Sequence, residues 1–148
     1  MPTLNADSAL LLDKQLCFAL YSASLAMTKR YVPLLSTINL TYPQYLVMLV
    51  LWEQDGLTVT ALGERLYLNS GTLTPLLKRM EASGLLVRAR SQEDERSVLV
   101  SLTPEGKKLK AHAAAIPSCV AEVSHCSLSE LMALSQQLKA LRSRLNYS

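Results

Sequence analysis

The spacing of apolar residues near the middle of the chain predicts two short helices. In residues 59–66, Val59, Leu62 and Leu66 fall on one face. A turn of small and polar residues at 67–71 follows. In the next helix the apolar residues recur at i, i+3, i+4 and i+7, and they are Leu73, Leu76, Leu77 and Met80.

The opposite face of the second helix is hydrogen-bonding and cationic, with Thr74, Lys78 and Arg79. Pro75 lies among them and lacks a backbone N–H. The sequence therefore predicts either a helix that starts near Gly71 or Thr72, with Pro75 in its first turn, or a local kink.

Two runs typical of β-strands follow, at residues 85–90 and 97–102, after Ser83 and Gly84 end the helix. A charged tip at 91–96 joins them. Helix, turn, helix and hairpin in this order are typical of a winged helix-turn-helix, although plain helical bundles contain the helix-turn-helix order too. The predicted fold is mainly α with a small β wing. Residues 57–103 are its DNA-binding region, in which the second helix enters the major groove.

Composition and charge limit the other possibilities. With 148 residues, 49% of them hydrophobic, residues 1–148 are predicted to form a single domain. The longest apolar run, residues 45–52, is far too short to span a membrane, and no leader opens the chain, so the predicted location is cytoplasmic. The net charge of +3 is only mildly basic, so DNA binding depends on where the cations lie. Besides Lys78 and Arg79, the hairpin residues Arg88, Arg90 and Arg96 are candidates.

Apolar helices are predicted at both ends of the chain. The first covers residues 7–32, and Pro33 closes it. The last begins at a capping box, Ser127 with Glu130, and carries leucines at 3-4-3-4 spacing: Leu131, Leu134, Leu138, Leu141 and Leu145. We expect segments 7–34 and 104–148 to form a dimer interface. Packing of these leucines within one subunit is the alternative.

Cysteine chemistry centres on Cys17. The three cysteines are widely spaced, which predicts neither a zinc site nor a structural disulfide, and no cofactor is expected. Cys17 shares a helix face with Tyr21. A thiol reacts as thiolate, which tyrosine hydroxyls can stabilise by donating hydrogen bonds. An inert cysteine in an apolar helix is the alternative.

Four segments of the chain resemble the organic hydroperoxide resistance regulators of the MarR family: residues 12–24, 40–46 and 70–79, and the wing motif Asp94-Glu95-Arg96. The resemblance covers roughly residues 10–110. It implies that Cys17 is the peroxide-reactive thiolate. Tyr31 and Tyr42 of the partner subunit would donate hydrogen bonds to its sulfur, with Tyr21 near the pocket.

The resemblance also implies the DNA contacts. Arg96 would enter the minor groove, with Asp94 orienting it. The residues expected to face the major groove or the phosphates are Ser70, Thr72, Thr74, Lys78 and Arg79.

The second thiol is where this chain departs from many relatives, which carry a resolving cysteine about one turn before a Cys-Ser pair. Here the pair is Cys126-Ser127, and the position one turn earlier holds Glu122. Cys126, Cys119 or a small cellular thiol could therefore resolve the oxidised Cys17.

The expected function is a homodimeric, non-enzymatic repressor that binds an inverted repeat in double-stranded DNA. Oxidation of Cys17 by an organic hydroperoxide would release it. The alternative is a MarR-type repressor gated by non-covalent binding of phenolic or drug-like ligands. A thiol peroxidase is disfavoured because the chain has no Cys-x-x-Cys motif.

Overall fold

A computed structural model describes residues 5–146 as eight α-helices, a 3-10 turn and three strands. The elements in chain order are α1 (Ala6–Ala9), the 3-10 turn (Leu12–Lys14), α2 (Leu16–Ser36), α3 (Tyr42–Glu53), β1 (Leu57–Thr58), α4 (Val59–Leu66), α5 (Ser70–Ala82), β2 (Leu86–Arg90), β3 (Val98–Leu102), α6 (Pro104–Ala113), α7 (Ile116–Ser124) and α8 (Leu128–Leu145). They divide into two compact units. The winged-helix unit is Pro33–Cys119, and the terminal unit comprises the described residues before and after it.

The winged-helix unit has an apolar core to which α5 contributes as the sequence predicted. Leu73, Leu77 and Met80 are fully buried. The Thr58 hydroxyl accepts a hydrogen bond from the Ala61 N–H and caps α4. In the turn after α4, the Leu68 N–H donates to the Gly63 carbonyl at 3.0 Å. A Cβ at position 63 would lie 2.6 Å from the Leu68 carbonyl oxygen, so glycine permits this tight turn.

The wing is an antiparallel hairpin with a third, very short strand. The strand order is β1-β3-β2, and the register pairs Leu86 with Leu102 and Arg90 with Val98. The two predicted hairpin strands are confirmed to within one residue at their first positions. Strand β1 was not predicted, because two residues carry no readable alternation. It pairs Leu57 with Val100 and so attaches the start of α4 to the wing.

The first long helix differs from its prediction at both ends. Helix α2 begins at Leu16, because residues 6–14 form only a short helix and a 3-10 turn. It then continues through Pro33 to Ser36. Proline removes one intrahelical hydrogen bond but has a φ that suits a helix. Leu35, which is buried in the winged-helix unit, holds the final turn in place.

Pro75 also lies deeper in its helix than expected. The Asn69 side chain accepts a hydrogen bond from the Thr72 N–H at 2.8 Å, so α5 begins at Ser70. Pro75 is then in the second turn, not the first, yet the helix is unbroken to Ala82.

The predicted start of the last helix is confirmed, because Ser127 with Glu130 forms a capping box on α8. Thr103 caps α6 with Pro104 at its first position. A turn at residues 114–115 separates α6 from α7, and Pro117 lies in the first turn of α7. Helix α6 belongs to the winged-helix unit, although the sequence grouped it with the terminal helices. Of the described helices, none is long and apolar enough to cross a membrane.

Candidate DNA-binding surface and redox site

Helix α5 presents a polar, solvent-facing side opposite its buried leucines. Ser70, Thr72, Lys78 and Arg79 are exposed, and Thr74 is half-buried. Neither Lys78 nor Arg79 forms an ion pair with any other described residue. Both cations and the hydroxyls are therefore available to a ligand along one helix, as major-groove reading requires.

Asp94 organises the tip of the wing. Its carboxylate accepts hydrogen bonds from the Arg96 backbone N–H at 3.0 Å and from the Ser97 hydroxyl at 3.3 Å. The Ser97 N–H also donates to the Asp94 carbonyl at 2.9 Å. Asp94 thus holds the backbone that carries Arg96. These hydrogen bonds support the orienting role that was predicted for Asp94.

The three arginines of the wing have different surroundings. Arg88 forms an ion pair with Glu81 at 3.1 Å. The guanidinium of Arg90 donates to the Glu95 carbonyl at 2.9 Å and so supports the tip. Arg96 is exposed, and within residues 5–146 its guanidinium has no partner. Of the three, Arg96 is the one whose guanidinium forms neither an ion pair nor a hydrogen bond within residues 5–146.

Glu81 was not singled out by the sequence analysis, although it makes the most extensive side-chain contacts of this surface. It lies in the last turn of α5 and accepts from Arg88 on β2. One carboxylate seven residues before an arginine carries no distinctive signal, because only the turn between helix and strand brings the two together.

Cys17 lies in the first turn of α2, and its thiol is exposed. Tyr21 is one helical turn further on and is 62% exposed. Both are surrounded along α2 by exposed apolar residues, among them Leu16, Phe18 and Leu25. Cys17 therefore lies outside the buried core of the single chain.

Tyr31 is not brought beside Cys17 within one chain. The two residues lie 14 positions apart on the same helix, which at 1.5 Å per residue separates them by about 21 Å along its axis. Tyr31 itself is half-buried.

Tyr42 is half-buried at the start of α3 in the winged-helix unit. Its ring centroid lies 6.4 Å from that of Tyr45. Burial raises the pKa of Tyr42, and burial together with the nearby Tyr42 raises the pKa of Tyr45. Both phenols are therefore protonated at neutral pH, and a protonated hydroxyl can donate a hydrogen bond.

The two further cysteines are half-buried, and both are reduced. The Cys126 thiol donates to the Ser124 carbonyl at 3.5 Å. It lies between His125, whose backbone is left-handed with φ 57°, and Ser127, the N-cap of α8. Cys119 lies in the middle of α7. Within residues 5–146 no three His, Cys, Asp or Glu side chains cluster as metal ligands.

Sequence comparisons place the chain among transcriptional regulators. Residues 29–113 match the family of SarA/Rot transcriptional regulators. The organic hydroperoxide resistance transcriptional regulator of Bacillus subtilis (strain 168) is 54% identical over 135 residues, which cover 91% of this chain and 92% of that protein.

Structural comparisons agree. Reduced AbfR bound to DNA has a TM-score of 0.76 and 34% identity, over 92% of this chain and 95% of AbfR; that protein comes from Staphylococcus epidermidis. Disulfide-formed AbfR has a TM-score of 0.62 and 39% identity, over 88% and 91% of the two chains.

These findings confirm the predicted winged-helix fold and the predicted kind of transcriptional regulator. The chain belongs to the organic hydroperoxide resistance regulators of the MarR family.

Proposed function

We propose that this protein is a cytoplasmic, homodimeric repressor that binds an inverted-repeat operator and releases it when an organic hydroperoxide oxidises Cys17. The observation that carries the proposal is the exposed Cys17 thiol within an apolar surface of α2, in a chain of this family. The apolar surroundings favour a peroxide with an apolar tail over hydrogen peroxide.

The unsatisfied apolar surface of the terminal unit supports the dimer. Leu16, Leu25, Leu134 and Leu145 are all more than half exposed in the single chain. Exposed apolar patches of this kind mark protein interfaces. Because about 21 Å of helix separates Cys17 from Tyr31 in one chain, that tyrosine can reach the thiol only from a second copy.

DNA binding is supported by helix α5 and the wing. A dimer carries two copies of α5, which can read two half-sites one helical turn apart. Lys78 and Arg79 supply charge for phosphates, and Arg96 is available to the minor groove. The relative AbfR is bound to DNA in its reduced form.

The switching reaction starts with the Cys17 thiolate. It attacks the outer oxygen of the hydroperoxide, the O–O bond breaks, and the products are a cysteine sulfenic acid and an alcohol. A second thiol then condenses with the sulfenic acid, giving a disulfide and water. Cys126 or Cys119 of the partner, or a small cellular thiol, supplies it. Because each cysteine reacts once per signal, this is sensing and not enzymatic turnover.

Gating by a phenolic or drug-like ligand is the second candidate, and one cavity favours it. A shallow cavity of about 260 Å³ in the terminal unit is lined by Ala23, Met27, Val123 and the cation Arg30, among others. An apolar wall beside a guanidinium suits an aromatic carboxylate or phenolate.

A titration separates the two candidates. A duplex selected from a random-sequence pool by the reduced protein is followed by fluorescence anisotropy while cumene hydroperoxide is added. We expect the wild type to release the duplex and Cys17→Ser to retain it. Cys119→Ser and Cys126→Ser, measured in the same way, test whether either of these thiols is needed for release. Equal release by wild type and Cys17→Ser would establish that the signal bypasses the thiol. Release by neither would refute the peroxide switch.

A further inference from the structure

A carboxylate on helix α5 and an arginine on the wing form a side-chain link between the two elements. Glu81 Oε2 accepts the Arg88 backbone N–H at 2.8 Å. Glu81 Oε1 accepts two guanidinium donors of the same arginine, Nε at 3.3 Å and an Nη at 3.1 Å. A bidentate fork of this kind fixes orientation as well as distance.

Strand β2 is an edge strand, because the sheet order is β1-β3-β2. An edge strand offers backbone groups that the sheet does not pair. The Glu81 carboxylate satisfies one of them, at Arg88, in the middle of β2. The last turn of α5 is thus joined to the wing by both backbone and side chain.

The pair is partly sheltered from solvent. The side chains of Arg88 and Glu81 are 23% and 35% exposed. The hydrogen bond from the Arg88 N–H, followed by that from its guanidinium, lowers the pKa of Glu81, which is therefore ionised at neutral pH. Arg88 is already neutralised, which makes it a poor phosphate ligand compared with Arg96.

We propose that Glu81 and Arg88 are positioning residues for operator binding, which hold the wing at a fixed place relative to helix α5, and that Arg88 does not contact DNA itself. The proposal rests on the proposed function as a DNA-binding regulator. It replaces the predicted role of Arg88 as a DNA contact. Arg96 can reach the minor groove only if the wing and α5 keep their spacing, and this pair sets it.

The direction in which Glu81→Gln changes the DNA affinity distinguishes positioning from a simple effect of charge. Removing a negative charge near DNA strengthens binding if charge alone matters, and it frees Arg88 for a phosphate. Positioning predicts the opposite, a roughly tenfold weaker complex, because the charged hydrogen bonds are lost. Arg88→Lys keeps the charge but loses the fork, so we expect it to weaken binding as much as Arg88→Gln.

Salt dependence supplies the second readout. If Arg88 contacted a phosphate, Arg88→Gln would lower the magnitude of the slope of log K against log salt by about 0.9, whereas Glu81→Gln, which retains the arginine, would not. A lost positioning pair changes the slope by the same amount in both variants. The double variant Glu81→Gln/Arg88→Gln should bind no more weakly than either single variant, because one interaction is removed in all three. Thermal melts of each variant verify that the fold is retained, and the isosteric Glu81→Gln keeps the shape of the site.

The experiment measures affinity for the duplex selected by the reduced wild type, at several salt concentrations. If no duplex is selected, the proposed function fails. If the wild type binds, positioning is overturned by any of three results: tighter or unchanged binding of Glu81→Gln, wild-type binding by Arg88→Lys, or a salt slope that falls in Arg88→Gln but not in Glu81→Gln.

Discussion

The two units of the chain contain similar patterns of apolar residues but bury them very differently. Among residues 5–146, all the fully buried apolar side chains, from Leu35 to Val100, belong to the winged-helix unit. Of the described residues of the terminal unit, only Val120 is buried, while Leu16, Leu25 and Leu134 are more than half exposed. The winged-helix unit therefore has a finished core in one chain, and the terminal unit does not.

This difference indicates how the two units depend on a second copy. A unit with its own core can keep its shape alone, whereas exposed leucines along α2 and α8 gain burial only from a partner. In our proposal the redox site belongs to the unit that is completed by dimerisation. The signal at Cys17 is thus expected to act on the interface, and the winged-helix unit transmits it to DNA.

A charge placed among the exposed leucines of α8 should have the largest effect on the protein. Leu134, which is 52% exposed on α8, would be covered by the partner, so Leu134→Glu should give a monomer with a folded winged-helix unit. Losing the second half-site contact should weaken binding to the selected duplex by at least ~100-fold. Sedimentation velocity and anisotropy measure both effects.

Gln136→Glu is the matched control for this charge. It adds the same charge to α8 about 200° around the helix from Leu134, at an exposed polar position. We expect it to remain dimeric and to bind like the wild type. A dimeric Leu134→Glu with normal affinity would show that these leucines do not form the interface.

Most of the winged-helix unit could be predicted from the sequence, because its signals are local. Helices α4 and α5 show their apolar spacing, and the caps at Thr41 and Thr103 are short motifs. The start of α2 at Leu16 was missed, because residues 7–15 continue the apolar pattern without forming one helix. Whether a leucine seam is covered by its own chain or by another cannot be read from spacing.

The candidate site also has some features that follow from local sequence spacing and others that arise only in the fold. The polar face of α5 follows from helical periodicity, and Cys17 and Tyr21 share a face because they are four residues apart. The role of Arg88 could not be inferred, because its partner Glu81 precedes a turn and meets it only in the folded unit. From the sequence, all three wing arginines were equivalent candidates for DNA contacts, whereas in the fold each has different partners: Arg88, Arg90 and Arg96.

Removing one positive charge from each unit should affect DNA affinity very differently. Arg96→Gln should weaken binding to the selected duplex by about 1–3 kcal/mol, since its guanidinium is the uncommitted one of the wing. Arg144→Gln removes the same charge from exposed α8 in the terminal unit and should change the affinity little. Anisotropy titrations of both variants measure their affinities for the selected duplex. Equal losses would mean that net charge, and not the wing, determines the affinity.

The smallest effect concerns the capping boxes, of which each unit has one. Thr41 with Gln44 caps α3, and Ser127 with Glu130 caps α8. Replacing either cap residue by alanine should destabilise its helix by about 1 kcal/mol, measurable by thermal unfolding. The two boxes differ in one respect, because Glu130 titrates and Gln44 does not.

Hydrogen bonds from the Ser127 backbone N–H and then from its side chain lower the pKa of Glu130 from 4.5. A lowered folded-state pKa means that the stabilisation is present above pH 4.5 and is lost as the pH falls through the folded-state value. Amide exchange in the first turn of α8, corrected for intrinsic rates, should therefore speed up as the pH is lowered below 4.5, while that of α3 should not. Glu130→Gln gives α8 the same chemistry as α3 and should remove the difference. If acid loosens the first turn of α8 equally in Glu130→Gln, the capping carboxylate is not the cause of the acid sensitivity.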